Sequence, residues 1–463
     1  MGVEHGQQIL PVLLSLARTT NGRRLPFMAA HAQSLKSYFD SETAKVLSAC
    51  TTCGKCVEVC PVVPYAGLMD ADPRGVAHGV VDFLAHRAPL AGAAATFAHA
   101  CNGCGECIPA CPEGVNPRKM LVLANTMHAG ERTQTPQLFR KMSRSIRLMA
   151  GMQLLPAEFA RVLNPPRRTQ AEMVFYLGCN ALRTPHLLFN AMYVLDSLSA
   201  DYEVVGGPGS CCGIVQSKWE GELGKGERMV NATLTRFEGL SPEKVLSWCP
   251  SCNLHIGETL AGFKSTSFEF GHFTTYLADR LEDLRAKFVR ALPLKAVLHA
   301  HVGLADLGAN VARVLAAIPG LELVDTVLES GYTCGGSGCA RAPEMMKKEH
   351  AHLTDRVRET GADVLVTFYH NCHASFVRAE REGGFRVLNY TDLLVDALGA
   401  APHDDVFKRL RLLDDWKMIV EEAEPFLRAN GIEFDREFLE KILPDVFRMA
   451  EFTGGLDCFA SRT

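Results

Sequence analysis

Cys50-Thr-Thr-Cys53-Gly-Lys-Cys56-Val-Glu-Val-Cys60-Pro61 is the stretch on which the reading of this chain turns. Its spacing is C-x2-C-x2-C-x3-C-P, and Cys101-Asn-Gly-Cys104-Gly-Glu-Cys107-Ile-Pro-Ala-Cys111-Pro112 repeats it. Three thiols two residues apart wrap a short loop around one face of a soft metal centre. The fourth is followed by a proline, which restricts its backbone and lacks an N–H donor, so it turns away from its own loop. Gly54, Gly103 and Gly105 permit the close backbone approach that N–H···S hydrogen bonds need. Zinc held by paired C-x2-C knuckles is the other reading, but four cysteines per run, each run with its trailing proline, fit zinc poorly.

The spacing is the ligand run of bacterial ferredoxins for a cubane [4Fe–4S] cluster, and in two-cluster ferredoxins the fourth cysteine ligates the other cube. Cys50, Cys53, Cys56 and Cys111 are therefore assigned to one cluster, and Cys101, Cys104, Cys107 and Cys60 to the other. The residues between the runs look helical around Gly75–Arg87, and Ser34–Ala49 carries apolar residues at helical spacing. A helical two-cluster ferredoxin domain over residues 1–126 is expected, rather than a small β-rich one.

Outward from these runs, the 463-residue chain holds 17 cysteines, an odd count that does not read as a disulfide framework. Glu4 and His5 stand where a basic leader would, so no signal peptide is expected and the setting reads as cytoplasmic and reducing. With 47% hydrophobic and 22% charged residues the composition is that of an ordinary globular protein, and the length suggests about three domains. The longest apolar run near the start, Ile9–Ala17, falls short of the roughly 20 residues a spanning helix needs. Followed by Arg18, Arg23 and Arg24, it suits at most peripheral contact with the inner membrane face, or an N-terminal helix packed on the ferredoxin core. A net charge of −4 argues against a nucleic-acid partner. Residues 127–170 read as a basic, Met-rich helical linker broken by prolines, and residues 401–463 as an acidic helical tail.

From Met173 the pattern changes to strand, turn and helix. Short strands at Met173–Leu177, Tyr202–Val205 and Lys244–Trp248 lead into Cys179, into Cys211-Cys212-Gly213 and into Cys249-Pro-Ser-Cys252, with helices near Leu187–Leu198, Leu223–Phe237 and Thr274–Leu284. The order recurs about 122 residues later, with strands at Lys295–Leu298, Leu323–Thr326 and Asp363–Thr367 and a last helix at Thr391–Leu398. Two tandem Rossmann-like α/β repeats, 171–292 and 293–400, with ligands on loops at strand ends, are the economical reading. Gly206-Gly207-Pro208-Gly209 lacks the spacing of a dinucleotide-binding loop. Five soft thiols are too many for one zinc, and a vicinal cysteine pair suits bridging between irons.

This set, C-x31-CCG followed by C-x2-C, resembles the cysteine-rich CCG domain of heterodisulfide reductase. The order of ferredoxin module and repeats over about Ala44–Leu398 resembles its fused D-type subunit and the iron–sulfur subunits of glycolate oxidase, lactate-oxidation and anaerobic glycerol-3-phosphate dehydrogenase systems. The resemblance implies that Cys179, Cys211, Cys212, Cys249 and Cys252 hold a noncubane [4Fe–4S] cluster and form the catalytic site. The second repeat departs from the pattern, with His301, Thr333 and Tyr369 where Cys179, Cys211 and Cys249 stand in the first. His301, Cys334 and Cys372 are expected to converge there and to suit a zinc ion, with His299, His370, His373, Cys339 or water as fourth ligand. The alternative is a decayed site whose cysteines are buried hydrophobes.

The function expected is an iron–sulfur electron-transfer subunit of an oxidoreductase. It would work with a flavoprotein dehydrogenase, an electron-transfer flavoprotein or a cytochrome b-like subunit, since no flavin or nicotinamide fingerprint is visible. Two other readings stay open: a catalytic subunit that reduces a disulfide or thiol-coupled substrate, and a scaffold that docks a flavoprotein to the membrane.

Overall fold

The computed structural model describes residues 34–131, 137–164, 168–301, 305–329 and 342–451. Ile9–Ala17, Cys334, Cys339 and Cys458 lie outside them, as does the side chain of His301.

The first described part is helical. Ser34 caps the helix Leu35–Ala49 by accepting a hydrogen bond from the Ser37 N–H, and Asp72 caps Pro73–Leu84 through the N–H groups of Arg74 and Gly75. Side-chain acceptors at this position satisfy donors a helix start leaves unpaired, and proline at the first helical position loses nothing. Val76, Ala77, Val80, Val81 and Leu84 share the buried face of the second helix. Cys50 directly ends Leu35–Ala49, and Cys101 directly ends Gly92–Ala100. Each cysteine run thus starts where a packed helix stops, which fixes its first ligand. The helix Pro117–Gly130 runs through residue 126, where the ferredoxin segment was expected to end.

Two four-stranded parallel sheets follow. The first has β1 (Met173–Gly178), β2 (Tyr202–Gly206), β3 (Lys244–Ser247) and β4 (Glu269–His272) in the order β2-β1-β3-β4. The second repeats the order as β6-β5-β7-β8, with β5 (Lys295–His301), β6 (Glu322–Glu329), β7 (Val364–Thr367) and β8 (Arg386–Asn389). All six residues of β1 are buried, as expected of a central parallel strand covered on both faces. The edge strands β4 and β8 were not foreseen, because four residues with polar ends carry too little periodicity. The helix expected over Thr274–Leu284 is instead two, Phe273–Asp279 and Leu281–Arg285, parted at Arg280, whose φ of −105° and ψ of 24° leave the helical region.

The basic stretch is not a solvated linker. Met149 and Met152 on and beside the helix Leu138–Gly151 are fully buried, in a cluster with Ile419, Leu427, Leu443 and Phe447 of the tail and Val377 of the second repeat. Tail helices at Val406–Leu413, Trp416–Ala429 and Arg436–Glu451 thereby pack back on the middle of the chain. The repeats meet through Asn180 Nδ2, which donates to Asn371 Oδ1 at 2.9 Å, and a stacked Trp248–Tyr390 pair. The ferredoxin segment is tied to the first repeat by Tyr38, whose hydroxyl lies 3.0 Å from the Thr259 carbonyl and 2.7 Å from that of Ala261.

Candidate functional site

The structure brings Cys50, Cys53 and Cys56 of the first run together with Cys111 of the second, around one cavity also lined by Ala77, Val115 and Met120. Cys60 in turn sits beside Cys101 and Cys104. Gly54, Gly103 and Gly105 all have positive φ. Burial pushes the Cys60 thiol up to about 12 and the Cys56 and Cys104 thiols up to about 11, and the neighbouring sulfurs push the same way. Thiols so buried and so close resist ionising together. Iron at the centre of each four would supply the missing positive charge, so the donor set fits a cluster and fits bare water poorly.

The other five cysteines sit at the carboxyl ends of the first sheet, where ligand sites of open parallel sheets form. Cys179 follows β1, Cys211-Cys212 follow β2 and Cys249 and Cys252 follow β3, and all five are buried. Cys179 Sγ lies 3.8 Å from Cys211 Sγ, and Cys252 Sγ lies 3.5 Å from the Tyr176 hydroxyl. That hydroxyl donates to the Ser210 carbonyl at 2.8 Å, and Thr233 Oγ1 holds the Cys211 carbonyl at 2.9 Å. Gly178 has φ +72°, and a Cβ there would fall 2.8 Å from Cys249 Cβ and 3.0 Å from Cys252 Sγ. No side chain fits between the strand end and the cysteines. Hydrogen bonds from Cys211 and Cys252 hold the Cys212 thiol down to about 6, and a bond from Cys252 lowers Cys249, while Cys179 and Cys252 are raised. Five sulfurs cannot all ionise in so dry a place without cations between them, which is what a multi-iron centre provides.

One cavity of about 200 Å³ is lined by all five of these cysteines and also by Cys101, Asn102 and Gly103 of the second ferredoxin run. Two π-helical turns, Val215–Trp219 and His255–Thr259, each follow a cysteine pair closely and supply Lys218, Trp219, His255 and Glu258 to its wall. Such turns concentrate at functional sites, because the extra residue re-aims the side chains. Arg118 closes one side. It forms a bidentate ion pair with Glu258, with Nε 3.0 Å from Oε1, and donates to the Gly103 carbonyl at 2.8 Å. The second repeat contributes His370 and Asn371. Burial lowers His255 and His370 to about 3, so both are neutral at physiological pH. Lys218, Arg118 and His255 were not singled out from sequence. Nothing local marks them, since their place depends on helix register and on how segments dock.

Of the fourth ligands expected in the second repeat, Cys339 lies outside the described residues and the three histidines have the following neighbours. His370 faces the first repeat's cavity, and His373 Nε2 lies 2.7 Å from Asp405 Oδ2. Cys372 is fully buried and disulfide-bonded, so its sulfur is not available there as a thiolate. His299 is buried against Phe376, and Tyr369, at the position of Cys249, reaches His272 Nε2 at 3.3 Å.

Fold and cysteine geometry together define an iron–sulfur protein built from a dicluster ferredoxin module and two cysteine-rich repeats. Residues 46–115 match the 4Fe-4S dicluster domain, and residues 173–257 and 301–377 match the cysteine-rich CCG domain. The chain is 23% identical over 370 residues to a subunit of the fumarate reductase (CoM/CoB) of Methanothermobacter marburgensis, covering 77% of this chain and 73% of that one. It is 23% identical over 401 residues to the D-type subunit of the dihydromethanophenazine:CoB–CoM heterodisulfide reductase of Methanosarcina acetivorans, covering 76% and 94%. A crystal structure of a hypothetical protein from Helicobacter pylori aligns at a TM-score of 0.39 and 11% identity, over 66% of this chain and 62% of that one. The chain thus joins the dicluster and CCG domains, is similar to heterodisulfide reductase D-type subunits, and is an iron–sulfur subunit of an oxidoreductase. Among the described residues no helix is long and apolar enough to cross a membrane.

Proposed function

We propose that this chain relays electrons between a partner subunit and the five-cysteine site of its first repeat. Cys50, Cys53, Cys56 and Cys111 would hold one cubane cluster, and Cys101, Cys104, Cys107 and Cys60 the other. Cys179, Cys211, Cys212, Cys249 and Cys252 would hold the noncubane one. Such clusters supply one-electron redox chemistry when bound. The observation that carries the reading is the shared cavity, which Cys101 and the five cysteines line together. The chain's own contribution is to keep that space dry and fixed. Val122, Leu138, Met142 and Ile214 exclude water from it, and the Arg118–Glu258 pair locks the ferredoxin loop to the second π-turn. The partner would be a flavoprotein or a membrane cytochrome.

Iron analysis of the anaerobically purified chain tests this, with about twelve irons expected from three four-iron clusters. Cys212→Ala should hold about eight and keep the ferredoxin signals in electron paramagnetic resonance. A wild type with about eight irons and titratable thiols at Cys211 and Cys212 would overturn the reading.

A disulfide-reducing role for the same cavity draws support from His255 and His370. The Nδ1 of the first and both ring nitrogens of the second have no hydrogen-bond partner, although both side chains line the cavity. Neutral imidazoles so placed can donate to a sulfur-bearing substrate. A new oxidised-state paramagnetic signal on adding a thiol, absent in Cys212→Ala, would favour that role over a pure relay.

A further inference from the structure

A further group of metal-competent side chains contains no cysteine. His186 opens the helix His186–Ser197 of the first repeat, His373 sits in the helix His370–Phe376 of the second, and Asp405 caps the tail helix Val406–Leu413. None of the three lines the five-cysteine cavity. One ligand atom from each lies within 4.8 Å of the other two. His373 Nε2 is 2.7 Å from Asp405 Oδ2, and His186 Nδ1 is 3.4 Å from Asp405 Oδ1. The two imidazoles meet edge-on at 61°, with centroids 4.9 Å apart, so neither ring shields the other's nitrogens.

His186 is 1% exposed and His373 fully buried. Neither ring nitrogen of His186 has a hydrogen-bond partner. A buried imidazole that meets a carboxylate and a second imidazole without hydrogen-bonding to either keeps ring nitrogens free to coordinate a cation. The surroundings support the geometry. His373 Nδ1 lies 3.4 Å from Thr367 Oγ1, which can hold the ring's orientation from behind. Asp405 Oδ1 accepts the Lys408 N–H at 2.9 Å, which fixes the carboxylate and leaves Oδ2 facing inward. The Lys408 ammonium points away, to Glu380 Oε2 and the Val387 carbonyl. A cavity of about 210 Å³, lined by Asp392, His403 and Asp405, adjoins the carboxylate.

We propose that His186, His373 and Asp405 bind a zinc ion that staples the first repeat, the second repeat and the tail. Two imidazoles and one carboxylate, with water in the fourth position, are a common tetrahedral zinc set. Donors about 2.0–2.2 Å from such a centre lie about 3.3–3.6 Å apart, so the His373–Asp405 pair would open by under about 1 Å to admit the ion. The ion takes the place of the proton shared by His373 and Asp405, which is released on binding. Because the three ligands come from three segments, the site holds together packing that sequence neighbours do not. The assignment stands independently of whether the five-cysteine site relays electrons.

The test uses the full chain with its clusters. Elemental analysis after gel filtration should find about one zinc per chain. In His186→Gln and in Asp405→Asn it should fall at least about tenfold while iron stays unchanged. Cobalt added to zinc-depleted protein should give visible d–d bands without thiolate charge transfer. Zinc unchanged in both variants, no cation taken up by the wild type, or thiolate charge transfer from bound cobalt would each overturn the site. An extra iron in place of zinc, lost in the same variants, would overturn the choice of metal. Should the variants not fold, the cobalt spectrum of the wild type decides alone.

Discussion

At the scale of single residues, the first repeat depends on an absence. Gly178 combines a positive φ with two cysteines inside the volume a methyl group would take. Gly178→Ala should therefore displace Cys249 and Cys252, with loss of about four irons and retention of the ferredoxin signals. Its unfavourable backbone adds about 1 kcal/mol or more of destabilisation. Iron content and a thermal melt check both parts, and unchanged iron would show that the cysteine loops tolerate the shift. The thirteen cysteines of the two ferredoxin runs and the first repeat were legible because ligand spacing is written along the chain. Gly178 was not, since its role depends on β3 arriving beside β1 in the register Met173↔Lys244 to Tyr176↔Ser247.

Between elements, the decisive contact is the one that seats the ferredoxin loop on the first repeat. Arg118, on the helix Pro117–Gly130, bridges the Gly103 carbonyl and the Glu258 carboxylate on a π-turn. Its side chain is 9% exposed and that of Glu258 27%. Breaking a fully buried pair costs about 3–5 kcal/mol, and the partial exposure of Glu258 lowers the expectation to about 2 kcal/mol. Arg118→Met should show that loss in denaturant melts and should slow reoxidation of the five-cysteine site by the ferredoxin clusters in rapid-mixing measurements. Stability lost with the rate unchanged would mean that the pair is structural only. The helices carrying this contact were readable from apolar spacing and caps. The π-turns were not, because one inserted residue leaves no compositional mark.

Across the whole molecule, buried histidines contribute to the response to acid. Burial lowers His272, in the first repeat, to about 3 and His350, in the second, to about 4, against 6.5 when unperturbed. Below 6.5 the unfolded chain takes up protons that the folded chain refuses. Stability is therefore full above that pH and falls as the pH drops toward the folded values. From pH 7 to 5 each group should remove on the order of 2 kcal/mol. His350→Gln should flatten the pH dependence of denaturant melts by about that amount, and an unchanged slope would place the acid sensitivity elsewhere. The 122-residue period made the two repeats legible, and the identical strand orders of the two sheets follow from it. How the repeats and tail close on each other was hidden, because the Met149 and Met152 that meet the tail sit in a stretch whose charge reads as solvated.

The wall that His370 and Asn371 give to the five-cysteine cavity also bears on the order in which the protein is made. Cys252, the last of the five, leaves the ribosome well before the segment that covers it. At elongation rates of about 5–20 residues per second the interval is about 6–24 s. During that time the cysteine loops of the first repeat stand at the open end of a sheet that can already form. For the cluster proposed there, delivery of iron and sulfide would have a natural deadline, set by synthesis of the second repeat. A chain that passes it unloaded must reopen two docked units before its sulfurs can be reached.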